Sequence, residues 1–100
     1  MITVHLPDDL AAAFGLKSPL QLPAAATLGE LLATLDRTYP GLGSRLTSAD
    51  GAIRPHLNIF LSQALARGED GPRLPLSDGE DVWVIRAVSG GGDTSAETAI

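Results

Sequence analysis

Residues 26–42 read ATLGELLATLDRTYPGL, and this stretch decides the fold. Thr27 followed three residues later by Glu30 has the spacing of a capping box, in which side-chain oxygens accept from the amide N–H groups left free at a helix start. Leu28, Leu31, Leu32, Leu35 and Tyr39 then recur at helical spacing until Pro40, which has no N–H to continue the ladder. One helix with a single apolar stripe needs an apolar sheet face to bury it.

Strand patterns lie on both sides of that helix. Upstream, Ile2, Val4 and Leu6 alternate with Thr3 and His5 before Pro7, and Leu20–Leu22, between Pro19 and Pro23, is a short second strand able to pair with the first as a hairpin. Residues 8–15 between them show no clear period, although AAAF (11–14) can make a turn of helix. Downstream, PGLGSRLTSADGAIRP (40–55) is rich in Gly, Pro, Ser and Asp, and reads as a packed connection anchored by Leu42 and Leu46 with room for one short helical turn. His56 to Ser62 alternates again, with Leu57, Ile59 and Leu61 on one face and His56, Asn58 and Phe60 on the other, as a candidate central strand. A short edge strand around Leu65 to Arg67, an Asp-Gly turn in SDGED (77–81) and a last strand from Val82 to Val88 complete the pattern. Strand, strand, helix, strand, short strand, strand is the order of a β-grasp, an α+β fold in which one main helix covers a small mixed sheet.

Composition bounds the function. A chain of 100 residues with 44% hydrophobic residues and a net charge of -5 is expected to be one small domain. Twelve acidic against seven basic residues leave no basic stripe to displace counterions from a phosphate backbone, so nucleic acid is not an expected partner. The absence of cysteine excludes thiolate nucleophiles, disulfides and thiolate metal sites. No apolar run approaches the roughly 20 residues of a membrane span, and MITVHLPDD lacks the charged-then-apolar start of a signal peptide, so a cytoplasmic protein off the membrane is expected.

Catalytic constellations are not found. His5 and His56 have no companion ligands at metal-site spacing and read as partly exposed strand histidines, so no metal site is expected. The serines lack a nucleophile-elbow pattern, and Asp78, Glu80 and Asp81 beside Gly79 read as a solvated turn. With no general base, nucleophile and charge stabiliser gathered at recognisable spacing, the chain is not expected to be an enzyme. Gly90, Gly91 and Gly92 follow a terminal strand and do not open a helix, which is the wrong context for a phosphate cradle. They read either as a joint to a flexible tail, SGGGDTSAETAI (89–100), or as an extended segment without side chains that can thread another protein's narrow channel.

Four stretches in fixed order carry a more specific resemblance: the helix at 26–42, HLNIFLS (56–62), LPLSDGEDVWVI (74–85) and AVSGG (87–91). Together they resemble the MoaD/ThiS family of ubiquitin-like sulfur carrier proteins over residues 1–91. That resemblance implies that an E1-like enzyme, using ATP and Mg, adenylates the carboxylate of a terminal glycine before sulfur is installed as a thiocarboxylate. The carrier itself is then expected to hold no cofactor, and a sulfur-accepting enzyme of cysteine, cofactor or specialised-metabolite biosynthesis is the second implied partner. Matched residue by residue, the terminal diglycine falls on Gly90 and Gly91, preceded by Ala87, Val88 and Ser89.

Two departures from the family pattern stand out. Gly92 to Ile100 follow the diglycine, so the Gly91 carbonyl is held in a peptide bond. Removal of residues 92–100 is therefore expected, as some relatives are cleaved by JAMM-type metalloproteases, with the bonds after Gly91 and after Gly92 both open as the cut site. Arg86 stands where the family usually has Pro. If Val82 and Val84 face the helix, Trp83, Ile85 and Phe60 lie on the opposite face, and the resemblance implies partner docking there, with Arg86 and Val88 continuing the surface towards the tail. Two other readings remain open: a protein modifier joined through Gly91 to lysines of targets, and a non-conjugating β-grasp adaptor that keeps its tail.

Overall fold

In the computed structural model, which describes residues 1–86, the N-terminal alternation becomes strand β1 (Ile2–His5) with Ile2 and Val4 fully buried. Strand β2 (Leu20–Leu22) pairs with it antiparallel, Ile2 opposite Leu22. Between them, helix α1 (Asp8–Ala13) starts three residues before the AAAF stretch in which a turn was expected. Pro7 supplies the extended residue before it, Asp8 and Asp9 complement the positive end of the helix, and only Leu10 and Ala11 are buried. Two buried residues in six are too few to show a period.

Helix α2 (Leu28–Thr38) forms where the capping box places it. The Thr27 hydroxyl accepts from Glu30 N–H at 3.3 Å, and the Glu30 carboxylate accepts from Ala26 N–H at 3.1 Å, one residue ahead of the cap. Its stripe of Leu28, Leu31, Leu32 and Leu35 is buried against the sheet-facing core. The connection after Pro40 holds one short helix, α3 (Leu42–Leu46), with Leu42 and Leu46 fully buried as its anchors. Asp36 Oδ1 joins α2 to α3 by accepting from Gly41 N–H at 3.2 Å and Gly43 N–H at 3.1 Å. Gly43 has no room for a side chain, because a Cβ there would sit 2.7 Å from Asp36 Cβ.

Strands β3 (Leu57–Phe60), β4 (Leu65–Ala66) and β5 (Asp81–Arg86) complete a five-stranded sheet in the order β2-β1-β5-β3-β4. The middle strand is β5, parallel to β1 and antiparallel to β3, so the candidate central strand at His56–Ser62 is interior but one place off centre. It is also shorter than its alternation: His56 sits exposed in the preceding turn, and Ser62 leaves the ladder to meet a carboxylate. The parity of the pattern holds, with Leu57, Ile59, Val82 and Val84 buried on the helix side.

That carboxylate is Glu80, and it corrects the reading of Ser77–Asp81 as a wholly solvated turn. Glu80 is buried; its Oε2 accepts from Ser62 N–H at 2.8 Å and from the Ser62 hydroxyl at 2.7 Å, and its Oε1 from Ser77 N–H at 2.8 Å. The carboxylate thus ties the end of β3 to the residue before β5. Asp78, by contrast, is exposed and accepts from the N-terminal amine at 2.8 Å.

Burial works to raise the Glu80 pKa, but the hydrogen bonds from Ser77 and Ser62 outweigh it and hold the carboxyl below its ordinary value. A carboxyl with a depressed folded pKa contributes stability that is complete above its unfolded pKa and lost as pH falls through the folded one. Glu80→Gln keeps the shape and removes the charge; its expected cost is about 1 to 2 kcal/mol at pH 7. Urea melts of both proteins should show that gap closing as the pH is lowered towards 3, and an equal gap at both pH values would show that the charge is not what holds the turn.

Candidate functional site

Because β-strand side chains alternate, the strands that send Val82 and Val84 into the core send their neighbours to the open side of the sheet. Trp83 and Ile85 on β5, Phe60 on β3 and Leu65 on β4 are 46%, 43%, 42% and 43% exposed, which is unusual for such large apolar groups in one place. Strand register aligns most of them. His5 lies opposite Trp83, Trp83 opposite Phe60, and Phe60 opposite Leu65, so one row crosses four strands over about 14 Å at ordinary strand spacing. Ile85 lies one step along β5 towards the tail, opposite Asn58.

The row has a built edge. The His5 ring stacks on Trp83 with centroids 3.6 Å apart and planes 3° from parallel, while its Nε2 meets Asp81 Oδ1 at 2.9 Å. Trp83 is therefore held flat on one side and open on the other. Asn58 interrupts the apolar surface with a buried Oδ1 that has no hydrogen-bond partner among the described residues. A groove of about 460 Å³ borders the row, with Pro7, Ser18 and Pro19 forming its far wall.

At the end of β5 the side chain of Arg86 pairs with Asp9 on α1, and this hydrogen bond holds the Asp9 carboxyl below its ordinary pKa. Arg86 thus fastens the last described residue of the chain to the first helix. Phe60, Trp83 and Ile85 stand together as their parity predicted, whereas Arg86, expected to continue that surface, shares the parity of Val82 and Val84 and turns to the helix side to meet Asp9. Val88, Gly90, Gly91 and Gly92, together with the boundary at residues 91 and 92, lie outside the described residues. Three members of the site were not named from sequence: His5, set aside as a strand histidine, Asp81 and Leu65. A pattern of alternation gives the face of each, but only the register brings them together. Among the described residues no helix is long and apolar enough to cross a membrane.

The family model described as "ThiS family" matches residues 4–91. The chain belongs to the ThiS family. Small archaeal modifier protein 3 of Haloferax volcanii is 38% identical over 66 residues, covering 66% of this chain and 71% of that protein. Sulfur carrier protein CysO of Mycobacterium tuberculosis is 28% identical over 92 residues, covering 90% and 98%. The crystal structure of M. tuberculosis CysO superposes with a TM-score of 0.77 at 27% identity over 88% of this chain and all of that one. The Amycolatopsis orientalis BexX/CysO complex contains the same fold, with a TM-score of 0.76 at 20% identity over 91% of this chain and 100% of that one. This ThiS-family chain is accordingly a ubiquitin-like β-grasp protein whose named relatives are sulfur carriers and modifiers.

Removing the ring that covers one side of the only tryptophan in the sequence has a readable consequence. His5→Ala should cost about 1 kcal/mol, the worth of an aromatic stack. It should also increase acrylamide quenching of Trp83 fluorescence in the native state, and unchanged quenching would mean that the stack does not shield the indole.

Proposed function

We infer that this protein is a sulfur carrier whose Gly91, once it ends the chain, is adenylated and converted to a thiocarboxylate. The observation that carries this reading is that the family match ends at residue 91, the second glycine of the pair, six residues past the exposed Ile85. An extended run of six residues reaches about 20 Å, far enough to place a terminal carboxylate deep in an enzyme that rests on the open sheet face.

The chemistry divides cleanly between carrier and enzyme. A glycine carboxylate oxygen is a poor leaving group; attack of that oxygen on the α-phosphorus of ATP releases pyrophosphate and leaves an acyl adenylate. A sulfur nucleophile then adds to the carbonyl and AMP departs, leaving sulfur on the Gly91 carbonyl carbon. ATP and Mg belong to the E1-like enzyme, where the metal offsets the charge on the phosphates. The carrier contributes a terminus free of side chains at residues 90 and 91, and a surface to hold it in place. On this reading Phe60, Trp83 and Ile85 dock the activating enzyme and later the sulfur-accepting enzyme, with Arg86 and Val88 guiding the segment between face and terminus. That a CysO of this fold has been crystallised in a complex, with BexX, supports the two-protein scheme.

Because Gly92–Ile100 follow Gly91, a peptidase must first expose the carboxylate, and a JAMM-type metalloprotease is the proposed class. The 38% identity to a protein named as a modifier favours one further reading, in which the activated Gly91 is joined to target lysines. The same adenylate would serve either acceptor, a sulfur atom or an amine.

Intact-protein mass spectrometry on material from the native cells should find a chain ending at Gly91, and a fraction of it heavier by the exchange of one oxygen for sulfur. Isopeptides linking Gly91 to other proteins, without the sulfur species, would instead select the modifier reading; a chain still carrying residues 92–100 while its pathway is expressed would sink both. In a separate test, Phe60→Asp combined with Ile85→Asp should abolish co-purification with the E1-like enzyme while far-UV circular dichroism is unchanged, because both side chains are exposed. Retained co-purification would move the docking surface elsewhere.

A further inference from the structure

The sequence is acidic overall, yet three of its seven basic side chains and one of its two histidines converge on one cleft. Arg45 from α3, Arg54 and His56 from the approach to β3, and Arg86 from the end of β5 line it, with Leu10 and Leu57 as its floor. No carboxylate is among the lining side chains, and only Arg86 has an acidic partner, Asp9 at the margin. Arg45 and Arg54 have none within ion-pair distance among the described residues.

Arg45 and Arg54 are nevertheless each held in place by a neutral group. The Arg45 guanidinium lies over the Phe14 ring, 5.6 Å from its centroid, and Arg54 Nε donates to the Ser44 carbonyl at 2.9 Å, while its two terminal nitrogens have no hydrogen-bond partner among the described residues. A planar guanidinium anchored through Nε and open at its other edge is arranged to receive a carboxylate. The cleft measures about 210 Å³, below the 300 Å³ or so at which small-molecule sites begin, so it suits a side chain better than a nucleotide.

We propose that the Arg45–Arg54–His56–Arg86 cleft receives Asp or Glu side chains from the rim of the channel into which a partner enzyme takes the C-terminal segment. The location selects that occupant: Arg86 is a wall of the cleft and stands only five residues before Gly91, so an enzyme that encloses the terminal segment comes up against the cleft. Charge supplies the discrimination. Removal of residues 92–100 takes away Asp93 and Glu97 and leaves ten acidic against seven basic residues, a net charge of -3, so the carrier tends to repel an acidic partner except where acidic residues meet this cleft, which makes it an orienting contact beside the apolar row.

The proposal rests on the reading of Gly91 as the activated terminus, and two experiments separate the two. In the first, the full chain is titrated with an acetylated tetraglutamate peptide at low ionic strength and followed by ¹⁵N NMR. Shifts should gather at Arg45, Arg54, His56 and Arg86, disappear in the Arg45→Gln, Arg54→Gln double variant, and persist in the double Lys variant. Shifts spread over the surface, or equal ones with inorganic phosphate, would overturn the assignment to peptide carboxylates.

In the second, the chain ending at Gly91, which keeps every core residue, is adenylated by its E1-like enzyme at 50 and 300 mM salt. The double Gln variant should lose on the order of tenfold in kcat/KM at low salt, with kcat unchanged and the salt dependence largely gone, while the double Lys variant keeps most of both. Adenylation at full efficiency in the double Gln variant would overturn the cleft's role and leave the sulfur-carrier reading standing. No adenylation of the wild-type chain under any condition would overturn that reading instead, and the peptide titration alone would then decide the cleft.

Discussion

The pairing of β5 on both its edges is the constraint on which the rest of the molecule depends. Thr3, Val4 and His5 of the first strand lie parallel to Asp81, Val82 and Trp83 of the last, and Leu57–Phe60 close the other side antiparallel. The first and last strands are thus adjacent at the middle of the sheet, and neither half of the sheet is joined to the other except through β5. Glu80 fixes where this strand begins, by gathering Ser62 and Ser77, and Arg86 ties its far part to α1 by reaching Asp9. The segment leading to the diglycine therefore leaves from the most constrained strand of the fold, and its root is positioned relative to every surface around it.

The same strand couples core to surface. Val82 and Val84 bury themselves under α2, and the period of two then obliges Trp83 and Ile85 to face the other way. A slip of one residue would put a tryptophan into the space cut for a valine and bring two valines to the surface, so the register that stabilises the core is the register that displays the apolar row. This is why large exposed groups persist here without a covering helix. The sheet has one helical layer, and what faces away from it is set by what must face towards it.

Local physics made much of this legible from sequence alone. The capping box and the Leu28–Leu35 stripe are signals within one helix, and the alternation in Ile2–Leu6 and Leu57–Leu61 lies within one strand. These place elements and the side each residue faces. What the sequence withholds is which groups far apart in the chain become partners. Glu80 reads as one acid among three in a turn, and only folding brings Ser62 to its carboxylate; His5 reads as a lone polar residue until the parallel pairing sets it on Trp83. Helix α1 is illegible for a different reason, since six residues with two buried positions carry no measurable period. The cleft of Arg45, Arg54, His56 and Arg86 is the extreme case, because its members come from a helix, a loop and a strand, in a chain whose overall charge points the other way.

On the proposed reading, the geometry also dictates the order in which partners act. Gly91 is the sixth residue after Ile85, so an enzyme that reaches the reactive carbonyl has at most about 20 Å of chain between its active site and the sheet. A trimming enzyme, an activating enzyme and a sulfur acceptor cannot each enclose the same short segment at the same time. Nor can they divide the surface, since the apolar row and the basic cleft flank the root of that segment and any enclosing partner covers that ground. They must bind in turn, and each must release before the next can act. For such a relay a contact of moderate strength serves better than a permanent one. An exposed apolar row, oriented by a few screened charges, provides attraction fast enough to find the partner and weak enough to let it go.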